Sequence, residues 1–318
     1  MSSVTPAPDD ADRRADAVGW QRAPERGNAA VLRVMTWIAL CLGRRVARWL
    51  LHPITLYFML FAPAARRQSR RYLERALGRP PRLPDGYRHV HAFTATILDR
   101  VYFLRHRHAM FDVRIAGGDL IDETVAEGRG AFLVGAHVGS FEVIRAAGEV
   151  HGLRAAMVMY PDNARLVNAA LRAIAPDNDP PIIALGRPGS MLAVRDWLDE
   201  GGLAGMLGDR QIEQQSDRVS ELVMPFLGHG APFGDGPVRL AALLRRRVLF
   251  MAGIYLGGNR YEVRFEELAD FRTASAGADR EARVALGVRA YASRLEALCR
   301  EHPYNWFNFH DFWGEDAR

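Results

Sequence analysis

Short apolar runs alternate with amphipathic segments along most of this chain. From Phe111 onward, five apolar runs have the length of buried strands, and segments with a helical period lie between them. Alternation at this spacing predicts an α/β fold, in which a mostly parallel sheet is flanked by helices on both faces. The predicted strands are Phe111–Ile115, Ala131–Gly135, Ala155–Tyr160, Ile182–Leu185 and Leu203–Leu207, and the predicted helices lie near 119–127, 140–150, 163–174 and 190–199.

The pattern continues to the end of the chain with a hairpin and a long helix. Two segments, Val248–Leu256 and Arg260–Glu267, flank the turn residues Gly257-Gly258-Asn259, which predicts a hairpin of two more strands. A charged amphipathic helix is predicted at about 279–300, and the aromatic segment HPYNWFNFHDFW follows it. We therefore interpret residues 111–318 as one domain.

Two apolar runs near the beginning of the chain, Val31–Leu42 and Trp49–Ala62, are separated by an arginine-rich segment. Neither has the roughly 20 apolar residues of a spanning helix, and Pro53 is expected to kink a helix in the second run. Three interpretations stay open: a single tilted span, an interfacial or re-entrant anchor, and a hairpin in the core of a soluble protein. We interpret residues 29–110 as a membrane-facing helical region.

Residues 1–28 are rich in Ala, Asp, Arg and Pro and have no periodicity, which predicts a disordered tail. They lack the apolar core and the small-residue cleavage site of a secretory signal. We therefore expect no export.

Composition narrows the possible chemistry. With 318 residues and 49% hydrophobic content, the chain can bury a full core. Its two cysteines, Cys41 and Cys299, are far apart, which argues against a disulfide framework or a cysteine-based metal centre. All 42 basic residues are arginine, which excludes Schiff-base chemistry, Ser–Lys dyads and lysine-dependent phosphate loops. We expect neither a metal nor a cofactor.

The formal net charge of +5 suggests an anionic partner. Arginines flank the second apolar run on both sides, which is typical of headgroup anchoring, although a solvated basic face would look the same. Aromatic residues cluster in the apolar runs and the final segment and are not interleaved with arginines, so we expect no nucleic-acid partner. The flanking arginines are Arg44, Arg45, Arg48, Arg66, Arg67, Arg70 and Arg71.

One polar cluster directly follows the predicted strand at 131–135. His137 lies in a strand-to-helix loop, Ser140 is a natural helix N-cap, and Glu142 lies in the first turn of the helix. A histidine beside a carboxylate is the minimal pair for general-base catalysis, because the carboxylate fixes the imidazole tautomer. The alternative is a histidine bonded by loop carbonyls and a glutamate that complements the helix dipole.

A second polar cluster, Gly208-Asp209-Arg210, directly follows the predicted strand at 203–207. An arginine there could bind a phosphate or a carboxylate, although an adjacent Asp–Arg pair is also a common structural feature. Downstream, Met224–Gly228 and Ala231–Pro237 are interpreted as a Gly/Pro-rich loop that opens a helix, and that either binds an anion or is a plain turn. GxSxG, GxGxxG and HExxH motifs are absent from the sequence.

Together these features resemble the bacterial lipid A biosynthesis acyltransferase family, within the lysophospholipid acyltransferase superfamily. The resemblance covers roughly residues 30–315. Its most specific part is the HVGSFE block in its strand-to-helix context. The resemblance has three other parts: a basic hydrophobic N-terminal region, a YPDN segment after the next strand, and an Asp-containing block before a PF-x-G loop.

The resemblance implies a glycerolipid acyltransferase-like fold and a set of residue roles. His137 would be the general base and Glu142 its partner, while Asp209 and Arg210, with Asp162 and Asn163 of the YPDN segment, would bind substrate. It further implies an acyl carrier protein or coenzyme A thioester as donor, a lipid or glycolipid acceptor, and a place at the cytoplasmic face of the inner membrane. No metal is implied.

Two blocks depart from the family pattern. The acceptor-side block reads GDR where a DQD-like sequence is common, and the final segment lacks the usual WxHRR-like ending. The acceptor therefore stays open. Two other functions also stay open: a non-catalytic membrane-associated assembly protein that keeps the fold, and a thioester or ester hydrolase.

Overall fold

Three helices precede a region of mixed strands and helices in the computed structural model, which describes residues 25–315 apart from 162, 164, 166–168, 170, 172–173, 176–180, 210–220 and 274–276. The helices are α1 (Glu25–Phe61), α2 (Pro63–Leu77), α3 (Leu83–Leu104), α4 (Gly118–Ala126), α5 (Phe141–Val150), α6 (Ser190–Asp199), α7 (Gly236–Leu244) and α8 (Gly277–Glu301). The strands are β1 (Asp112–Ala116), β2 (Ala131–Gly139), β3 (Ala155–Met159), β4 (Ile182–Ala184), β5 (Leu203–Leu207), β6 (Glu221–Phe226), β7 (His229–Gly234), β8 (Arg247–Gly257) and β9 (Arg260–Asp270). The described positions between 161 and 174 are helical as well.

Seven strands form one sheet in the order β1-β9-β8-β2-β5-β3-β4. Five of its six pairings are parallel, and the β8–β9 hairpin supplies the antiparallel one. The carboxyl ends of β2 and β5 therefore meet at one edge, next to the carboxyl end of β8. The predicted mostly parallel α/β sheet flanked by helices is confirmed.

Both faces of the sheet are covered, which explains why its central strands read as continuous apolar runs. In β2, Phe132 and Val134 pack in a cluster with α8, α7 and the β6–β7 hairpin. Ala131 and Leu133 point the other way, into a second cluster with α3 and α5. Successive side chains of a strand point to opposite faces, so all four are buried.

The helix α3 belongs to the second of these clusters. Its residues Tyr102, Phe103 and Leu104 are buried together with Leu133 of β2 and Leu249 of β8. The boundary expected at residue 110 therefore does not separate two cores.

The helix α1 consists of two helical stretches on either side of a kink. The kink lies at Gly43, which has a φ of +79°, and not at Pro53, which lies inside the helix. One side of α1 packs against α3, where Ala47 and Leu51 are buried. The opposite side stays exposed. In the described part of the chain, the helices are all too short or too polar to cross a membrane.

Two arginines that we predicted to anchor headgroups are bound to the protein itself. Arg44 donates to both oxygens of the buried Asp99 at 2.7 Å, and Arg48 donates to the Tyr255 hydroxyl at 2.9 Å. Both also donate to the Gly258 carbonyl in the β8–β9 turn. They tie α1 to the sheet, which gives these two arginines a structural role that we did not predict.

The segment predicted as a Gly/Pro-rich loop is a two-stranded hairpin. β6 and β7 pair antiparallel from Glu221↔Gly234 to Phe226↔His229, and Asp235 then precedes α7. Pro225 and Pro232 make these strands hard to recognise in the sequence. Proline has no backbone N–H to donate to a neighbouring strand, so its presence argues against a strand. A two-stranded hairpin tolerates both residues, since each strand has one unpaired edge.

Candidate active site

The sheet register brings His137 and Asp209 together. Gly135 of β2 pairs with Leu207 of β5. His137 lies two positions after Gly135, and Asp209 lies two positions after Leu207. His137 Nδ1 lies 2.8 Å from Asp209 Oδ1, and the His137 backbone N–H donates to Oδ2 at 2.8 Å. One carboxylate thus holds both the ring and the backbone of the histidine.

Asp209 is ionised, which fixes the imidazole tautomer. Its burial opposes ionisation, but the charge and the two hydrogen bonds of His137, with one from the Trp306 indole, lower the pKa of this carboxyl to about 2. A carboxylate can only accept, so Nδ1 of His137 carries the proton and donates it. In neutral imidazole the lone pair then lies on Nε2. The ring is 28% exposed, and in the described part of the chain no group bonds Nε2.

A glycine pair lets the chain turn sharply after His137. Gly139 has a φ of +57°, and a Cβ there would lie 1.9 Å from the Gly253 carbonyl oxygen of β8. A Cβ at Gly253 would in turn lie 2.1 Å from the Ser140 carbonyl oxygen. Only glycine allows both the left-handed conformation and this close approach. The turn starts α5 against the end of β8.

Glu142 forms no ion pair or hydrogen bond with His137, contrary to the prediction. The turn at Gly139 directs the first residues of α5 toward α3, where Arg100 Nε lies 2.7 Å from Glu142 Oε1. Ser140 Oγ donates to the other carboxylate oxygen at 3.4 Å. Glu142 is 6% exposed and pairs with a cation, so the carboxylate that orients the imidazole is Asp209.

The other predicted site residues are less informative. Arg210 and Asp162 lie outside the described residues. Asn163 is described and is exposed on a helix. Their substrate-binding roles stay predictions.

The aromatic segment after α8 is part of this site, which we did not anticipate from the sequence. Trp306 Nε1 donates to Asp209 Oδ2 at 2.9 Å, and Trp306 forms an antiparallel bridge with Val138. The Phe307 N–H donates to the His137 carbonyl, and the Gly139 N–H donates to the Asn305 carbonyl. The segment therefore lies along the end of β2 like a short extra strand.

Asn305 fixes this segment to β8. Its side-chain oxygen accepts from the Tyr255 N–H at 2.7 Å, and its side-chain nitrogen donates to the Tyr255 carbonyl at 3.1 Å. The amide thus replaces a backbone partner at the strand end. The sequence does contain one signal for this contact, because the polar Asn305 lies among aromatic residues. The sequence does not indicate which strand Asn305 contacts.

A buried histidine supports the segment from the other side. His89 of α3 donates from Nε2 to the Trp306 carbonyl at 2.8 Å, and its Nδ1 lies 2.8 Å from Ser69 Oγ. A carbonyl only accepts, so Nε2 carries the proton and Ser69 donates to Nδ1. Burial lowers the pKa of His89 to about 4, against a partial offset from the Trp306 carbonyl. The ring is neutral at pH 7.

One group of possible metal ligands lies away from His137. Side-chain atoms of His106, His108 and Glu149, all within 4.8 Å of one another, meet beside the C-terminal end of α5, whereas His137 precedes its N-terminal end. Glu149 already forms an ion pair with Arg145. That guanidinium competes with any cation, so we assign no metal to the group.

The geometry can be compared with known proteins. The profile of the family described as bacterial lipid A biosynthesis acyltransferase matches residues 22–315. Among solved structures, the chain is similar to the 1-acyl-sn-glycerophosphate (LPA) acyltransferase PlsC from Thermotoga maritima, with 14% identity, a TM-score of 0.34, and coverage of 85% of this chain and 98% of that chain. No curated protein matches the chain. The family match includes β2, β5 and the segment that carries Trp306.

Proposed function

The chain belongs to the bacterial lipid A biosynthesis acyltransferase family and is an acyltransferase that acts on lipids, and from this premise we propose that it acylates a hydroxyl group of a membrane-associated lipid or glycolipid. The acyl donor is a thioester of acyl carrier protein or coenzyme A. One observation carries the proposal: the ionised Asp209 holds Nδ1 of His137 and leaves the Nε2 lone pair available as a base.

The reaction follows from that lone pair. Nε2 of His137 takes the proton of the acceptor hydroxyl while the hydroxyl oxygen attacks the thioester carbonyl carbon. A tetrahedral intermediate forms, the carbon–sulfur bond breaks, and the leaving thiolate takes the proton back from the imidazolium. An ester and a free thiol result. Asp209 stabilises the transient imidazolium, a role that the resemblance gave to Glu142.

The exposed side of α1 supports a place at a membrane surface. Trp49 is 76% exposed and Phe61 is 68% exposed, and between them Leu56, Tyr57 and Leu60 are more than half exposed. An amphipathic helix of this kind lies in the plane of the interface with its apolar face among the acyl chains. We propose that α1 docks on the membrane in this way, at the cytoplasmic face of the inner membrane, where lipid acceptors are within reach.

Charge supports the same orientation. Arg66, Arg67 and Arg70 are exposed on α2, directly after the apolar face of α1. Basic residues near an anionic surface contribute about 1 kcal/mol each to binding. Exposed arginines would also attract an acidic carrier protein, and that attraction should weaken as salt increases.

The test compares the wild-type protein with H137A, using acyl carrier protein and coenzyme A thioesters with and without lipid acceptors in vesicles. We expect ester formation by the wild-type protein only, with a loss of roughly 10²–10⁴-fold in H137A. Thioester consumption without any ester product would show a hydrolase instead. Full activity in folded H137A would overturn the mechanism. Comparing the lipids of a deletion strain with those of its parent would identify the acceptor.

A further inference from the structure

We propose that Trp306 is a positioning residue for acyl transfer: its indole N–H fixes Asp209, and buried His89 in turn fixes Trp306. The proposal rests on the proposed function, because the base that is positioned is His137. It adds a residue from outside the sheet, contributed by the aromatic segment after α8.

The contacts form one connected series of hydrogen bonds that meets at Asp209. Ser69 donates to His89, His89 donates to the Trp306 carbonyl, Trp306 donates to Asp209, and Asp209 accepts from His137. Each link lies between 2.8 and 2.9 Å. His89 and Trp306 are at most 1% exposed, so water does not compete with these bonds.

Trp306 is well suited to hold a carboxylate in one orientation. Tyr72, Phe226 and Phe312 meet its ring edge to face, with centroid distances of 5.0 to 5.3 Å. Packing on three sides fixes the plane of the indole, and therefore the direction of its N–H. Asp209 Oδ2 accepts both this N–H and the His137 backbone N–H, which leaves Oδ1 for the imidazole.

The indole N–H also tunes the charge of the site. A donor to Oδ2 withdraws electron density from the carboxylate that stabilises the imidazolium. Without that donor, Asp209 should hold the proton on His137 more strongly. More of the base would then be protonated at a given pH, so the acidic limb of the rate–pH profile should move to higher pH.

The sequence offers a matched control in Trp313. It is 8% exposed, and its ring lies 6.1 Å from that of Trp306. In the part of the chain that the structure describes, its Nε1 has no hydrogen-bond partner. W313F thus removes the same ring volume from the same aromatic cluster without touching Asp209.

The kinetic test measures kcat against pH for the wild-type protein, W306F and W313F. We expect W306F to lose roughly tenfold in kcat and to shift the acidic limb upward, as the loss of a hydrogen bond to a charged group implies. W313F should keep the wild-type limb. Equal profiles for the two variants would overturn the proposal, even if H137A confirms the base.

The support from His89 has its own test. H89F should lower kcat as W306F does, and H89Q, which places an amide N–H near the position of Nε2, should recover part of that loss. An equal loss in both variants would exclude the hydrogen bond and would leave His89 as packing alone.

A readout without turnover separates this proposal from the proposed function. In a ¹H–¹⁵N spectrum, the indole resonance that W306F removes should move in D209N, because its acceptor loses its charge, while the resonance that W313F removes should stay in place. A Trp306 indole resonance that D209N leaves unchanged would overturn the positioning role. The proposed function would still be tested separately by the activity of H137A.

Discussion

The helix α1 and the aromatic segment after α8 use the same kinds of residue in opposite ways. In α1, Trp49 is 76% exposed, whereas Trp306 in the later segment is 1% exposed. α1 has a neighbour on one side only, while Trp306 is enclosed by α2, the β6–β7 hairpin and its own segment. Inside this cluster the Trp306 indole N–H is held against one acceptor, the carboxylate that orients the base. An exposed indole has no such constraint and is free to meet a lipid surface.

Arginine shows the same contrast within the N-terminal region. Arg44 and Arg48, beside the kink, are bound to Asp99 and to the β8–β9 turn. Arg70, beyond the apolar face, is exposed. Position in the fold, and not residue type, separates a structural arginine from one that can meet an anionic surface.

The largest expected effect tests the link between the segment and the base. D209N should lower kcat by roughly 10²–10⁴-fold, because an amide can favour the wrong imidazole tautomer and stabilises the imidazolium poorly. E142Q should instead lower the free energy of unfolding, because Glu142 pairs with Arg100. Steady-state kinetics and urea unfolding of both variants distinguish a loss of kcat from a loss of stability. A larger loss of kcat in E142Q than in D209N would restore Glu142 as the partner of His137.

The next effect compares the two tryptophans directly. W306A should lower the free energy of unfolding by about 3–5 kcal/mol, since it empties a packed aromatic cluster. W49A should change it by less than about 0.5 kcal/mol, as is usual for an exposed side chain. Urea unfolding in the absence of lipid measures both. Similar losses would show that α1 packs against more of the protein than its exposure indicates.

A smaller effect concerns pH. The pKa of His89 falls from the ordinary 6.5 to about 4 in the folded protein. Below pH 6.5 the unfolded chain binds a proton that the folded protein binds only near pH 4, so stability is lost as the pH falls through this window. We expect a loss of about 2 kcal/mol between pH 7 and pH 5 from this group. H89Q, measured in the same urea titrations, should lack this component; an identical pH dependence would contradict the assignment.

The smallest expected effect lies on the exposed side of α1. Replacing Trp49 by serine should weaken binding to anionic vesicles by roughly tenfold, as the loss of one apolar anchor implies. Transfer to a soluble acceptor should be unchanged, because Trp49 does not contact the His137 site. Vesicle co-sedimentation measures the binding. Unaltered binding would exclude this face as the membrane contact.

Much of the sheet was predictable because both of its faces are covered. Apolar runs such as Ala131–Gly135 can be buried only between two layers, and their spacing leaves room for helices between parallel strands. The β6–β7 hairpin was missed because Pro225 and Pro232 interrupt its pattern. β6 and β7 are short and lie outside the main sheet, so no recognisable strand pattern remains in the sequence.

The site was predictable in position but not in pairing. His137 lies near the carboxyl end of β2 and Asp209 follows β5, so the carboxyl edge of the sheet could be expected to hold them. Which carboxylate meets the imidazole depends on strand order, and periodicity carries no information about order. Proximity along the chain favoured Glu142, whereas the β2–β5 register brings in Asp209. Trp306 was missed for the same reason, since no local pattern shows that an aromatic segment will lie against β2.

The hydrogen bonds that hold His137 join positions far apart in the chain. His137 and Asp209 are separated by 72 residues, Asp209 and Trp306 by 97, and His89 and Trp306 by 217. Closing loops of this size costs chain entropy before any contact compensates for it, so such contacts form late in folding. After dilution from denaturant, helical circular dichroism should return early. Acyl transfer should recover only with the slowest phase, when the first and last thirds of the chain have met.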